Sequence, residues 1–82
     1  MTREDLPHVV EEALRALGGT APLVKVAEAI WKTHESDLKA SGDLFYTWQY
    51  DMRWAAQQLR DKHKLTYSDD QGRKVWQLIE AP

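Results

Sequence analysis

The stretch Leu65-Thr66-Tyr67-Ser68-Asp69-Asp70-Gln71-Gly72-Arg73-Lys74-Val75-Trp76-Gln77-Leu78-Ile79 decides the fold, because the hydrophobic period changes within it. Leu65 to Ser68 alternates apolar and polar residues, the spacing of a half-buried strand. Asp69-Asp70-Gln71-Gly72 reads as a turn, with glycine supplying the backbone freedom a tight hairpin needs. Arg73 to Ile79 returns with Val75, Trp76, Leu78 and Ile79 in a strand-like arrangement. The stretch predicts a two-stranded hairpin.

Upstream of it the period is helical. From Leu44 to about His63, at about 100° per residue, Trp48, Met52, Ala55 and Leu59 fall on one side, and either Asp43 or Thr47 is placed to cap the start. Glu35 to Ser41 is polar apart from Leu38 and ends at Gly42-Asp43, which predicts one or two helical turns in a solvent-facing connector. Val24, Ala27, Ile30 and Trp31 form the stripe of a helix that ends around His34. Val9, Val10, Ala13, Leu14 and Leu17 lie opposite Glu11, Glu12 and Arg15 on a first helix, with Pro7 in its first turn and Gly18-Gly19 as its stop. Thr20-Ala21-Pro22 is a short extended connector. The expected fold is mainly α with a small β-hairpin: a single domain over 1–82 with the element order of a winged helix-turn-helix, three helices plus a two-stranded wing.

Composition narrows the function. A chain of 82 residues holds one core, which argues against a cleft enzyme. Hydrophobic residues at 43%, including four Trp, three Tyr and one Phe, supply that core without covalent staples. The absence of cysteine removes disulfides, thiolate nucleophiles and cysteine zinc sites, and fits a reducing compartment. Met1-Thr2-Arg3-Glu4-Asp5 lacks an apolar signal region, and no apolar run approaches the ~20 residues that span a bilayer, so a cytoplasmic protein without a membrane partner is expected. No serine or histidine has a recognisable orienting acid, and no carboxylate pair has a hydrolase context, so neither catalysis nor a cofactor is expected. His8, His34 and His63 lie on separate elements; although Glu35 and Asp37 flank His34, three surface histidines are expected rather than a metal site. Gly18-Gly19-Thr20 lacks the lysine and preceding strand of a phosphate-binding loop and is a helix terminator.

Charge is unevenly distributed. The net charge is −2 and the pI ≈ 5.9, whereas a plain DNA binder is expected to be basic. Yet Arg53, Arg60, Lys62, Lys64, Arg73 and Lys74 crowd residues 53 to 74 against Asp61, Asp69 and Asp70 alone, while residues 1 to 43 are acidic.

From Gly42 to Ile79 the sequence resembles the N-terminal winged-helix domain of Mrr-type restriction endonucleases and related nuclease-associated modules. Trp54-Ala55 and Leu59 on the third helix carry the resemblance, with Leu65 opening a strand, Gly72-Arg73 in the wing and an apolar strand through Trp76. It implies a DNA-recognition module of restriction or defence systems, normally fused to a cleavage domain. This chain reaches Pro82 with no nuclease following, and carries Asp51 where the family often has a basic residue.

In a helix-turn-helix the later helix enters the major groove, so the face opposite its core side carries the candidate contacts. Tyr46, Thr47, Gln49, Tyr50, Arg53, Gln57 and Arg60 are expected there, Arg suiting guanine edges or phosphates and Gln suiting adenine edges. Lys64 after the helix and Gln71, Arg73 and Lys74 in the wing are spaced for phosphate contacts, with Asp69 and Asp70 favouring a shallow wing contact. The same features also fit a solvated helix face and a charged edge strand. Tyr46, Trp48, Tyr50 and Trp54 form an aromatic run that would suit a modified base, although Trp48 and Trp54 are also needed to fill the core. The expected partner is double-stranded DNA, bound by a homodimer or alongside a fused or separate nuclease subunit. The alternatives are a protein-interaction winged helix and an RNA-binding domain.

Overall fold

A computed structural model describes residues 1–79, the side chain of Asp70 excepted. A single 3-10 turn, Arg3–Asp5, leads into α1 (Leu6–Ala16), which turns Leu6, Val9, Val10, Ala13 and Leu14 inward. Leu17, expected on this face, lies past the helix end and is exposed. The amide of Gly19 donates to the Leu14 carbonyl (2.7 Å) and that of Gly18 to Arg15 (3.2 Å), a helix stop that needs the left-handed backbone of Gly18 (φ 93°).

Thr20–Pro22 is a strand, β1, rather than a connector. It pairs antiparallel with β3 (Arg73–Leu78), which also pairs with β2 (Leu65–Asp70), so the sheet has three strands in the order β1-β3-β2. The expected two-stranded ribbon is two-thirds of that sheet. Gln71 (φ 52°) and Gly72 (φ 81°) make a two-residue loop with both residues left-handed, the turn whose twist matches paired strands.

α2 runs Leu23–Lys39 with a break in helical geometry at His34 (φ −122°, ψ 18°). The Thr33 hydroxyl donates to the Ala29 carbonyl (3.0 Å) just before the break, a side-chain competition that bends helices. Beyond it the helix continues, and Leu38 is fully buried, so this segment is not the solvent-facing connector expected from its polarity. One apolar residue, seven positions after Trp31 and so on the same side of a helix, outweighs its polar neighbours. Nearer the start the core takes Val26 and Ile30 while Val24 is exposed, a shift of the expected stripe.

α3 spans Leu44–Asp61 and buries Leu44, Trp48, Met52, Ala55, Ala56 and Leu59. It ends in a second left-handed stop, made here by His63 (φ 61°), with the Lys64 amide donating to the Leu59 carbonyl (2.8 Å). Trp76, Leu78 and Leu65 from the sheet complete the same core. No helix among the described residues is long and apolar enough to cross a membrane.

Candidate nucleic-acid interface

Burying one side of α3 leaves Tyr46, Gln49, Tyr50, Arg53, Gln57 and Arg60 exposed on the other, as helical spacing requires. Tyr46 and Tyr50 are 83% and 74% exposed, so neither ring contributes to the core. Tyr46 meets Phe45 edge-on, with ring centres 5.0 Å apart. Trp48 is buried and stacks on Trp31 at 6.0 Å, and one face of Trp54 is covered by the Arg3 guanidinium at 3.9 Å. Of the four aromatic residues between 46 and 54, only the two tyrosines stand open.

Thr47 lies at the flank of this face. Its hydroxyl donates to the Asp51 carboxylate (2.8 Å), which also pairs with Arg3 (3.6 Å). Asp51, the acidic departure in the resemblance, thus meets an opposing charge and a hydroxyl rather than standing bare beside the exposed face. The Gln57 amide is engaged as well, donating to Asp61 one turn on (3.0 Å).

Sheet pleating decides which residues of the β2–β3 hairpin join α3. The core face of the hairpin carries Leu65, Tyr67 and Asp69 on β2 and Lys74, Trp76 and Leu78 on β3, by register and alternation. Lys74 therefore faces the α3 side and Arg73 the other. Arg53, Gln57, Leu23, Tyr67, Lys74 and Trp76 line an open groove of about 490 Å³ between α3 and the β2–β3 hairpin. Lys74 Nζ lies 5.3 Å and Arg60 Cζ 5.0 Å from the centre of the Tyr67 ring. Burial pushes the Tyr67 phenol above its usual pKa, only partly offset by Arg60. Gln71 sits in the hairpin loop and Lys64 in the turn after α3; with Arg73 they are exposed but outside this groove. Asp70, half of the acidic pair expected at the wing tip, has its side chain outside the described residues.

Ion pairing divides the basic residues in two. Arg3, Arg15, Lys25, Lys32 and Lys39 each lie within 4 Å of a carboxylate, as in Lys32–Glu28 (3.4 Å) and Lys39–Glu35 (2.8 Å). Among the described residues, Arg53, Arg60, Lys62, Lys64, Arg73 and Lys74 pair with no carboxylate. The positive charge on α3 and the β2–β3 hairpin is therefore not matched by a carboxylate within 4 Å among the described residues.

His34 is half-buried, 4.0 Å from Glu12 and 3.8 Å from Asp37, while His8 and His63 are exposed. No group of three or more His, Asp or Glu side chains among the described residues is placed to hold a metal ion. Arg3, Leu23 and Tyr67 join the candidate surface without being among the residues expected from the helix face and hairpin. Tyr67 was reachable, since hairpin register puts Lys74 on its face, whereas nothing in the first five residues signals the contact of Arg3 with α3.

Compared with known protein families, curated proteins and solved structures, the chain finds no match among any of them.

Proposed function

We propose that this chain is a winged-helix module that docks on double-stranded DNA, with α3 in the major groove and the β2–β3 wing against the backbone. The order of elements, with a first short strand paired to the last, supports the winged-helix part of the reading. The observation that carries the DNA part is the set of six cations between residues 53 and 74 that pair with no carboxylate among the described residues. Arg53 and Arg60 on the exposed face of α3 and Lys74 on the adjoining ribbon share one surface, with Lys62 and Lys64 following the helix and Arg73 on the other side of the hairpin; such an arrangement suits phosphate neutralisation and outweighs the mild net negative charge of the whole chain. Arg53 and Lys74, on opposite walls of the groove, supply backbone contacts, and Gln49, Tyr50 and Gln57 face the base edges.

The test is duplex binding followed by fluorescence anisotropy over a salt series, with an NMR titration alongside. Affinity should fall steeply with salt, by a log–log slope of about −0.9 for each phosphate neutralised. Amide shifts should concentrate in α3 and the wing. Unmoved amides there across varied duplexes, methylated ones included, would overturn the reading. Binding of a protein partner through Tyr46 and Tyr50 would instead respond little to salt.

A further inference from the structure

We infer that Tyr67 is a positioning residue that sets Arg60 of α3 and Lys74 of the wing in a common register for the DNA backbone. The inference rests on the DNA reading above and identifies what organises that surface. Tyr67 is where three elements converge: it belongs to β2, Lys74 to β3 and Arg60 to α3, and both cations lie over its ring within the ~6 Å reach of cation–π attraction. Its own ring is backed by buried Trp76, 6.4 Å away and directly across the strand pair.

Two cations drawn to one ring repel each other, and among the described residues no carboxylate lies within 4 Å of either, although Asp69 stands directly across the strand pair from Lys74. The negative faces of the ring offset that repulsion without neutralising either charge, so both remain available to phosphate. A carboxylate in the same place would hold the cations equally well and cancel the charge DNA needs. Long basic side chains lose rotamer freedom on binding, and holding them beforehand reduces that loss. Lys62, Lys64 and Arg73 have no such ring among the described residues. The attraction arises from the ring and not from the hydroxyl. Phenylalanine should therefore substitute for Tyr67, and leucine should not.

The experiment measures duplex affinity for the full chain and for Tyr67→Phe, Tyr67→Leu, Lys74→Ala, Tyr67→Leu with Lys74→Ala, and Arg53→Ala. Tyr67→Phe should bind within about twofold of the parent and Tyr67→Leu about fivefold more weakly. In the Lys74→Ala background the effect of Tyr67→Leu should shrink to about twofold, because residues acting together are not additive. A leucine variant that does not fold is covered by the parent protein, in which the Lys74 ε-methylene and Arg60 δ-methylene protons should be displaced upfield by the ring. Undisplaced protons, full additivity or unchanged binding by folded Tyr67→Leu would each overturn the role of Tyr67. If Arg53→Ala also leaves binding unchanged and binding is insensitive to salt, the DNA reading falls with it. If Arg53→Ala weakens binding and Tyr67→Leu does not, the role of Tyr67 alone is overturned.

Discussion

The Arg3 guanidinium lies 3.9 Å from the centre of the Trp54 ring and 3.6 Å from the carboxylate of Asp51, clamping the N-terminal turn to the flank of α3. The turn is itself braced, since the Thr2 amide donates to Asp5 (2.8 Å). Arg3→Ala removes a cation from a half-buried ring and from a carboxylate that is 13% exposed. It should destabilise the fold by about 1 kcal/mol. For a domain of this size that lowers the thermal midpoint by about 4–8 °C, measurable by circular dichroism. Arg3→Lys, which keeps the charge but loses the planar stack, should recover only part of the loss.

The division of paired from unpaired cations predicts different outcomes for the same kind of substitution. Lys32→Ala removes a charge already matched by Glu28 and should leave duplex affinity within about twofold. Lys74→Ala should weaken binding several-fold and make the salt slope shallower by about 0.9. Equal losses for both variants would mean that net charge, and not placement, governs binding.

Leu38 is fully buried at the far end of α2, among residues that are otherwise polar. Leu38→Ala should cost about 2–5 kcal/mol, enough to leave a domain this small substantially unfolded at physiological temperature. Urea denaturation of the variant should show its midpoint sharply reduced. The neighbouring exposed change Ser36→Ala should move it little.

Burial raises the Tyr67 pKa in the folded chain above its usual value of about 10. The folded state therefore favours the protonated phenol more than the unfolded state does. That contribution to stability is fully present below pH about 10 and is lost as pH rises through the folded pKa. Denaturation midpoints should decline over this alkaline range in the parent, and the decline should be smaller in Tyr67→Phe. Identical alkaline profiles would show that the phenol is not desolvated.

Much of the fold was legible because long periodic stretches leave few choices. Val9, Val10, Ala13 and Leu14 on α1, and Trp48, Met52, Ala55 and Leu59 on α3, could face nothing but a core. Three residues ending in proline show no alternation, so Thr20–Pro22 has the pattern of a connector, and its pairing with β3 depends on a partner distant in sequence. Two apolar stripes one residue apart fit α2 equally well, and only packing selects Val26 over Val24. At the candidate site, the exposed face of α3 followed from its buried face. Arg73 and Lys74 are adjacent in sequence, but the pleat sends adjacent strand residues to opposite sides. The Arg3 clamp depends on where a non-periodic terminus folds back, which local pattern does not encode.

The central strand of the sheet follows both of its partners in sequence, so it leaves the ribosome after them. β1 and β2 do not touch, so neither gains a sheet partner until β3 arrives to join them. As the chain leaves the ribosome, the three helices can collapse first, but the place of Trp76 and Leu78 stays unfilled and the edges of β1 and β2 stay bare. Completion by a strand so far from its partner β1 is the slow, non-local kind of closure, and the interval before it is when the nascent protein is most open to aggregation.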